Sequence, residues 1–109
     1  MVEQWLAAWN RKDLAAMRQL LADDLLFEGS MDRFTSGDAY HALMGELTKA
    51  VTEVKPLKVW TDGHDVAAFY DLSMSKPAGT YPIAEWFEVE SGKIRRVHSV
   101  FDARPFVGG

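Results

Sequence analysis

Few residues in this chain have the type and setting to do chemistry. Asp71 stands in the run Phe69-Tyr70-Asp71-Leu72-Ser73, where strand alternation sets it on one face with Phe69 and Ser73. A carboxyl group held among rings loses hydration, so its pKa is expected to rise toward neutrality. There it can serve as general base on a C–H or water, or as general acid to a leaving oxygen. The plain alternative is a hydrated strand carboxylate near a pocket mouth. Ser99 is expected on the same face, but with no histidine on that face to take its proton it reads as a positioning residue rather than a nucleophile. His98 alternates to the other face, where Glu85, Arg96 and Asp102 are expected as its ion-pair and hydrogen-bond neighbours. With three scattered histidines and no cysteine, no metal site is expected. Neither a glycine-rich phosphate loop nor any other cofactor fingerprint is present, so no cofactor is expected either.

Such side chains need strands to alternate them and helices to enclose them. Val2, Trp5, Leu6 and Trp9 recur at the spacing of one helix face, and Asp13 can cap a second helix with Leu14, Met17, Leu20 and Leu21 inward. Asp23-Asp24 would end it before a short strand, Leu25 to Glu28. Thr35 and Asp38 suggest a capping box ahead of a third helix striped by Tyr40, Leu43, Met44, Leu47 and Val51. From Val54 onward the period changes to strands: Leu57 to Trp60, Asp65 to Met74, Tyr81 to Glu90 and Lys93 to Arg104. The turns fall at Asp62-Gly63-His64, Lys76 to Gly79 and Ser91-Gly92. The pattern is α+β, a curved antiparallel sheet around about three N-terminal helices, in a single domain over 1–109.

A two-residue turn at Ser91-Gly92 sets Glu90 opposite Lys93, and so Trp86 opposite Val97 and Ala84 opposite Ser99. The expected pocket wall is therefore Phe69, Asp71, Trp86, Val97, Ser99 and Phe101, closed from the helix side by Trp5, Phe27 and Tyr40. The opposite face, with Val66, Ala68, Tyr70, Leu72 and Met74, is too apolar to leave in water. Tyr70, Leu72, Phe87 and His98 are accordingly expected at a homodimer interface.

A net charge of −4 with no lysine or arginine cluster argues against nucleic acid and anionic membranes as partners. No apolar run reaches the roughly 20 residues of a membrane span. The first residues lack the layout of a signal peptide, which together with the missing cysteines suggests the cytoplasm.

The order of Leu21-Ala22-Asp23-Asp24, a strand to Glu28, Ser36-Gly37-Asp38 opening a helix, Gly92-Lys93-Ile94 and Phe101-Asp102 resembles the nuclear transport factor 2-like superfamily, and within it the SnoaL-like group. The resemblance implies a cystatin-like cone with an apolar internal pocket, and a two-fold dimer. It also implies small-molecule chemistry, but Trp5, Gly29 and Ala84 occupy the positions that match the catalytic groups of ketosteroid isomerases. Against limonene epoxide hydrolases the matching positions are Phe69, Asp71 and Ser99, so one aspartate survives. The expected function is a pocket for a small apolar or amphipathic molecule. It is either a cofactor-independent isomerase, cyclase or hydratase using Asp71, a non-catalytic binding module, or a dimerisation domain.

Overall fold

A computed structural model describes residues 1–107, and the last two residues of the expected 1–109 domain lie outside the described residues. The chain opens with helices α1 (Val2–Asn10) and α2 (Leu14–Gln19), continues into strand β1 (Leu21–Glu28) and the short β2 (Arg33–Phe34), and then forms helix α3 (Gly37–Thr48). Four long strands follow, β3 (Val51–Asp62), β4 (Asp65–Ser75), β5 (Ala78–Glu90) and β6 (Lys93–Val100), before a single turn, α4 (Arg104–Val107). Among the described residues the six strands make one sheet in the order β2-β1-β6-β5-β4-β3. All neighbours are antiparallel except β1 and β6. Among the described residues, no helix is long and apolar enough to cross a membrane.

The helices follow from local signals. The Asp13 carboxylate accepts the Ala16 N–H at the start of α2, as its spacing predicts. At α3 the cap is Ser36, which accepts from the Ala39 N–H, rather than Thr35. Gly37 lets α3 approach β1 closely, because a Cβ there would meet the Ala22 carbonyl oxygen at 2.4 Å. Helix α2 stops at Gln19, short of the expected Leu21. Leu21 pairs with Ile94 instead, and the Ile94 N–H donates to the Leu20 carbonyl at 2.7 Å. Sheet pairing there overrides the helical period of Leu20 and Leu21.

Strand faces decide everything about the site, and one residue sets them. The turn at Ser91-Gly92 has positive φ at both positions (54° and 74°), the backbone of a tight two-residue hairpin, and Glu90 does pair with Lys93. The register then slips, so that Val89 pairs with Ile94 but Glu88 with Arg96, leaving Arg95 as the extra residue of a β-bulge. The bulge turns both Ile94 and Val97 inward, each fully buried although three residues apart. Arg95 swings out to pair with Asp24 at 2.9 Å and Glu90 at 3.0 Å.

Beyond the bulge every β5 side chain is reversed relative to an unbroken ladder. Phe87 pairs with Val97, Trp86 with His98, and Glu85 with Ser99. The β4–β5 turn holds two residues, Lys76 and Pro77, rather than four, with Ser75 opposite Ala78. That difference of two in register keeps the faces matched, so the reversal carries over to β4. Val66, Ala68, Tyr70, Leu72, Met74, Ile83 and Phe87 are all buried against the helices.

Tyr70, Leu72 and Phe87, expected at a dimer interface, are therefore core residues. Phe69 and Trp86, expected to line a pocket, are 48% and 43% exposed on the outer face. Asp71 is half-buried, alternating with Tyr70 and Leu72 and so on the outer side with Phe69. His98 does lie on the outer face, but opposite Trp86 rather than Glu85.

Candidate functional site

The inner face of the sheet and the helices enclose a cavity of about 330 Å³. Its floor comes from β4 (Tyr70, Leu72, Met74), β5 (Ile83, Glu85) and β6 (Ser99), and its roof from Trp9 of α1 with Tyr40, Leu43, Met44 and Leu47 of α3. Phe27, Gly29, Met31, Asp32, Phe101 and Phe106 complete the wall. Of the expected pocket residues, Phe27, Tyr40, Ser99 and Phe101 line this space. Trp5 and Val97 are fully buried in the core beside it, Trp5 stacked on Tyr40 at 5.9 Å. Phe69, Asp71 and Trp86 are not among the lining residues.

The α3 stripe reaches the cavity because Tyr40, Met44 and Leu47 follow helical spacing on the buried side of that helix. Tyr40 is held flat against Phe27, ring centroids 4.5 Å apart, and Trp9 meets the Tyr70 ring edge-on at 5.8 Å. The Trp9 indole N–H is already committed, donating to Thr48 Oγ1 at 3.1 Å, while that hydroxyl donates to the Met44 carbonyl at 2.6 Å.

Glu85 is the chemical centre of this apolar chamber. It is 7% exposed, and the buried Tyr70 hydroxyl donates to its Oε1 at 2.7 Å. Burial pushes the Glu85 carboxyl up from 4.5 to about 7, with hydrogen bonding from Tyr70 and from Ser99 on the facing register position opposing the shift. The phenols of Tyr70 and Tyr40 are held well above their ordinary value, first by burial and then by the Glu85 charge. Among the described residues lining the cavity there is no lysine, arginine or histidine. Near pH 7 this arrangement can give or take a proton at Glu85.

Glu85 was missed as a cavity residue because the unbroken hairpin ladder turned it outward. A signal was available in Ile94-Arg95-Arg96-Val97, where two consecutive arginines separate two apolar residues and break the period of two.

The outer face carries a different cluster. The Trp86 indole N–H donates to Asp65 at 3.0 Å, its ring stacks on His98 at 6.5 Å, and the Arg96 guanidinium lies 5.5 Å from the ring centre. Arg96 is anchored by Glu28 at 3.0 Å. Among the described residues, no group of three histidine, aspartate or glutamate side chains is placed to hold a metal ion.

The fold recurs widely. A protein of unknown function from Cytophaga hutchinsonii, described as NTF2-like, superposes with a TM-score of 0.86 at 25% identity, over 96% of this chain and 89% of that one. An LEH-like epoxide hydrolase from M. tuberculosis does so with a TM-score of 0.81 at 26% identity, over 95% and 81%. A de novo designed protein with a curved β-sheet reaches a TM-score of 0.77 at 22% identity, over 93% and 84%, so the cone by itself specifies no activity. No curated protein matches the chain. The model of the SnoaL-like domain matches residues 2–97, and the chain belongs to the SnoaL-like family of the NTF2-like superfamily.

Proposed function

We propose that the protein carries out cofactor-independent proton transfer on a small apolar molecule, with Glu85 as the acid/base group and Tyr70 and Ser99 holding it in place. The carrying observation is a nearly buried carboxyl group, hydrogen-bonded by a tyrosine, in a mainly apolar cavity of ligand-binding size. A group titrating near 7 is matched to transfer protons at neutral pH. Isomerisation, cyclisation and hydration all fit one such group acting in turn as base and acid. The similarity to an epoxide hydrolase is in keeping with this class. Asp71 on the outer face is not proposed for the role.

The test is solvent deuterium incorporation into a panel of small apolar ketones and amino ketones, followed by proton NMR with chelator present. Wild-type protein is expected to accelerate exchange for at least one member, and Glu85→Gln to lower that rate by roughly 10²–10⁴-fold. An undiminished rate in Glu85→Gln would remove Glu85 from the chemistry. Binding without exchange would favour the second reading, a non-catalytic carrier.

The homodimer is proposed through the outer face. Trp60, Phe69, Trp86 and Val100 are all exposed there, and Ala67 and Ala84 floor a shallow groove between Phe69 and Trp86. Light scattering is expected to give twice the chain mass for the wild type and the single-chain mass for Phe69→Glu. A wild-type monomer, or an undiminished dimer in the variant, would refute this interface.

A further inference from the structure

The inner end of the cavity is unbalanced in its hydrogen bonding. The Tyr70 proton is committed to Glu85 and the Trp9 N–H to Thr48, so neither is free to donate to an occupant. What is left to an occupant is acceptor-rich: with Tyr70 and Ser99 both donating to the Glu85 carboxylate, their oxygens offer only lone pairs, and only the Tyr40 hydroxyl can turn either way. The charged groups lining the cavity, Glu85 within and Asp32 in the loop after β1, are both acidic. A buried carboxylate with no cationic side chain among the described lining residues is stabilised most by a cation brought to it. From this arrangement of acceptors and charge we infer that the cavity takes a small apolar molecule carrying one protonated amine, its nitrogen set against Glu85 and its apolar body along Leu43, Met44, Leu47 and Ile83. The inference rests on the reading of the cavity as a ligand site with Glu85 as its polar contact, and it names the class of that ligand. A bound cation would also hold Glu85 in its ionised, basic form.

Proton linkage gives the binding a signature. The groups facing Glu85 are Tyr70 from β4, Tyr40 from α3 and Ser99 from β6, with Asp32 also lining the cavity from the loop after β1; burial brings Glu85 to about 7 and holds both phenols well above their ordinary value. An ammonium ligand must displace the Glu85 proton, so its affinity should fall as pH drops below about 7, approaching tenfold per unit.

The experiment is calorimetric titration of the wild-type protein with phenethylamine, 3-phenylpropylamine and hexylamine, each against its matched alcohol, at pH 5.5 and pH 8. At pH 8 each amine that fits should bind at least tenfold tighter than its alcohol, and the advantage should shrink at pH 5.5. Glu85→Gln, checked for fold by circular dichroism, should erase the preference. The pH arm uses wild-type protein alone and stands even if that variant misfolds. Alcohols binding as tightly as amines would overturn the amine inference while leaving the ligand site intact. If neither series bound, the amine inference and the ligand-site reading would fall together.

Discussion

Glutamine at position 85 is expected to abolish a pH dependence of stability that the wild type shows between about pH 4.5 and 7. The Glu85 carboxyl is raised from 4.5 to about 7 by burial, so in that interval the folded protein holds a proton that the unfolded chain has released. Stability from this group is complete below pH 4.5, declines as pH rises, and is fully lost above 7. The size of the effect is about 3 kcal/mol, from 1.36 kcal/mol for each unit of a shift of about 2.5. Glutamine keeps an oxygen to accept from Tyr70 and has no charge to desolvate. Urea unfolding of both proteins from pH 4.5 to 8 measures it, because the difference between them cancels the other titrating groups. That difference should move by about 3 kcal/mol in favour of the variant as pH rises, and a constant difference would mean that Glu85 is hydrated.

A second large effect separates two neighbours on β5. Phe87 is fully buried opposite Val97, whereas Trp86 is exposed on the outer face beside His98. Phe87→Ala should destabilise the fold by about 3–5 kcal/mol through lost burial and the cavity left behind. Trp86→Ala should cost less than about 1 kcal/mol in unfolding experiments on monomeric protein, since it removes one exposed hydrogen bond to Asp65 and a partly solvated stack. An unbroken hairpin ladder with its wall on Trp86 and Val97 would give the reverse order. Chemical denaturation of the two variants therefore reads out the bulge at Arg95 directly.

That bulge explains how a correct architecture coexisted with a misplaced site. The helical stripe of Tyr40 and Met44, the Asp13 cap and the turn at Ser91-Gly92 are local signals, and each is present in the structure. The order of elements was legible for the same reason, as was the family resemblance. Facing in a sheet is not local, because a single inserted residue moves every later side chain to the other surface. Phe27, Tyr40, Ser99 and Phe101 survived because their placement does not depend on the β5 register. Asp71, Phe69 and Trp86 did not, and Glu85 took the interior position. The apolar row Tyr70, Leu72 and Phe87 was correctly read as unfit for water, but it is covered by the protein's own helices rather than by a second copy.

The most direct measurement is a ¹³C-carboxyl NMR titration of Glu85 in the wild-type protein, assigned by its loss in Glu85→Gln. A midpoint near 7 is expected for a side chain enclosed with Tyr70 and Ser99 under the helices. A midpoint near the ordinary glutamate value of about 4.3 would contradict it, placing the group in water and removing the reason for assigning it proton transfer at neutral pH.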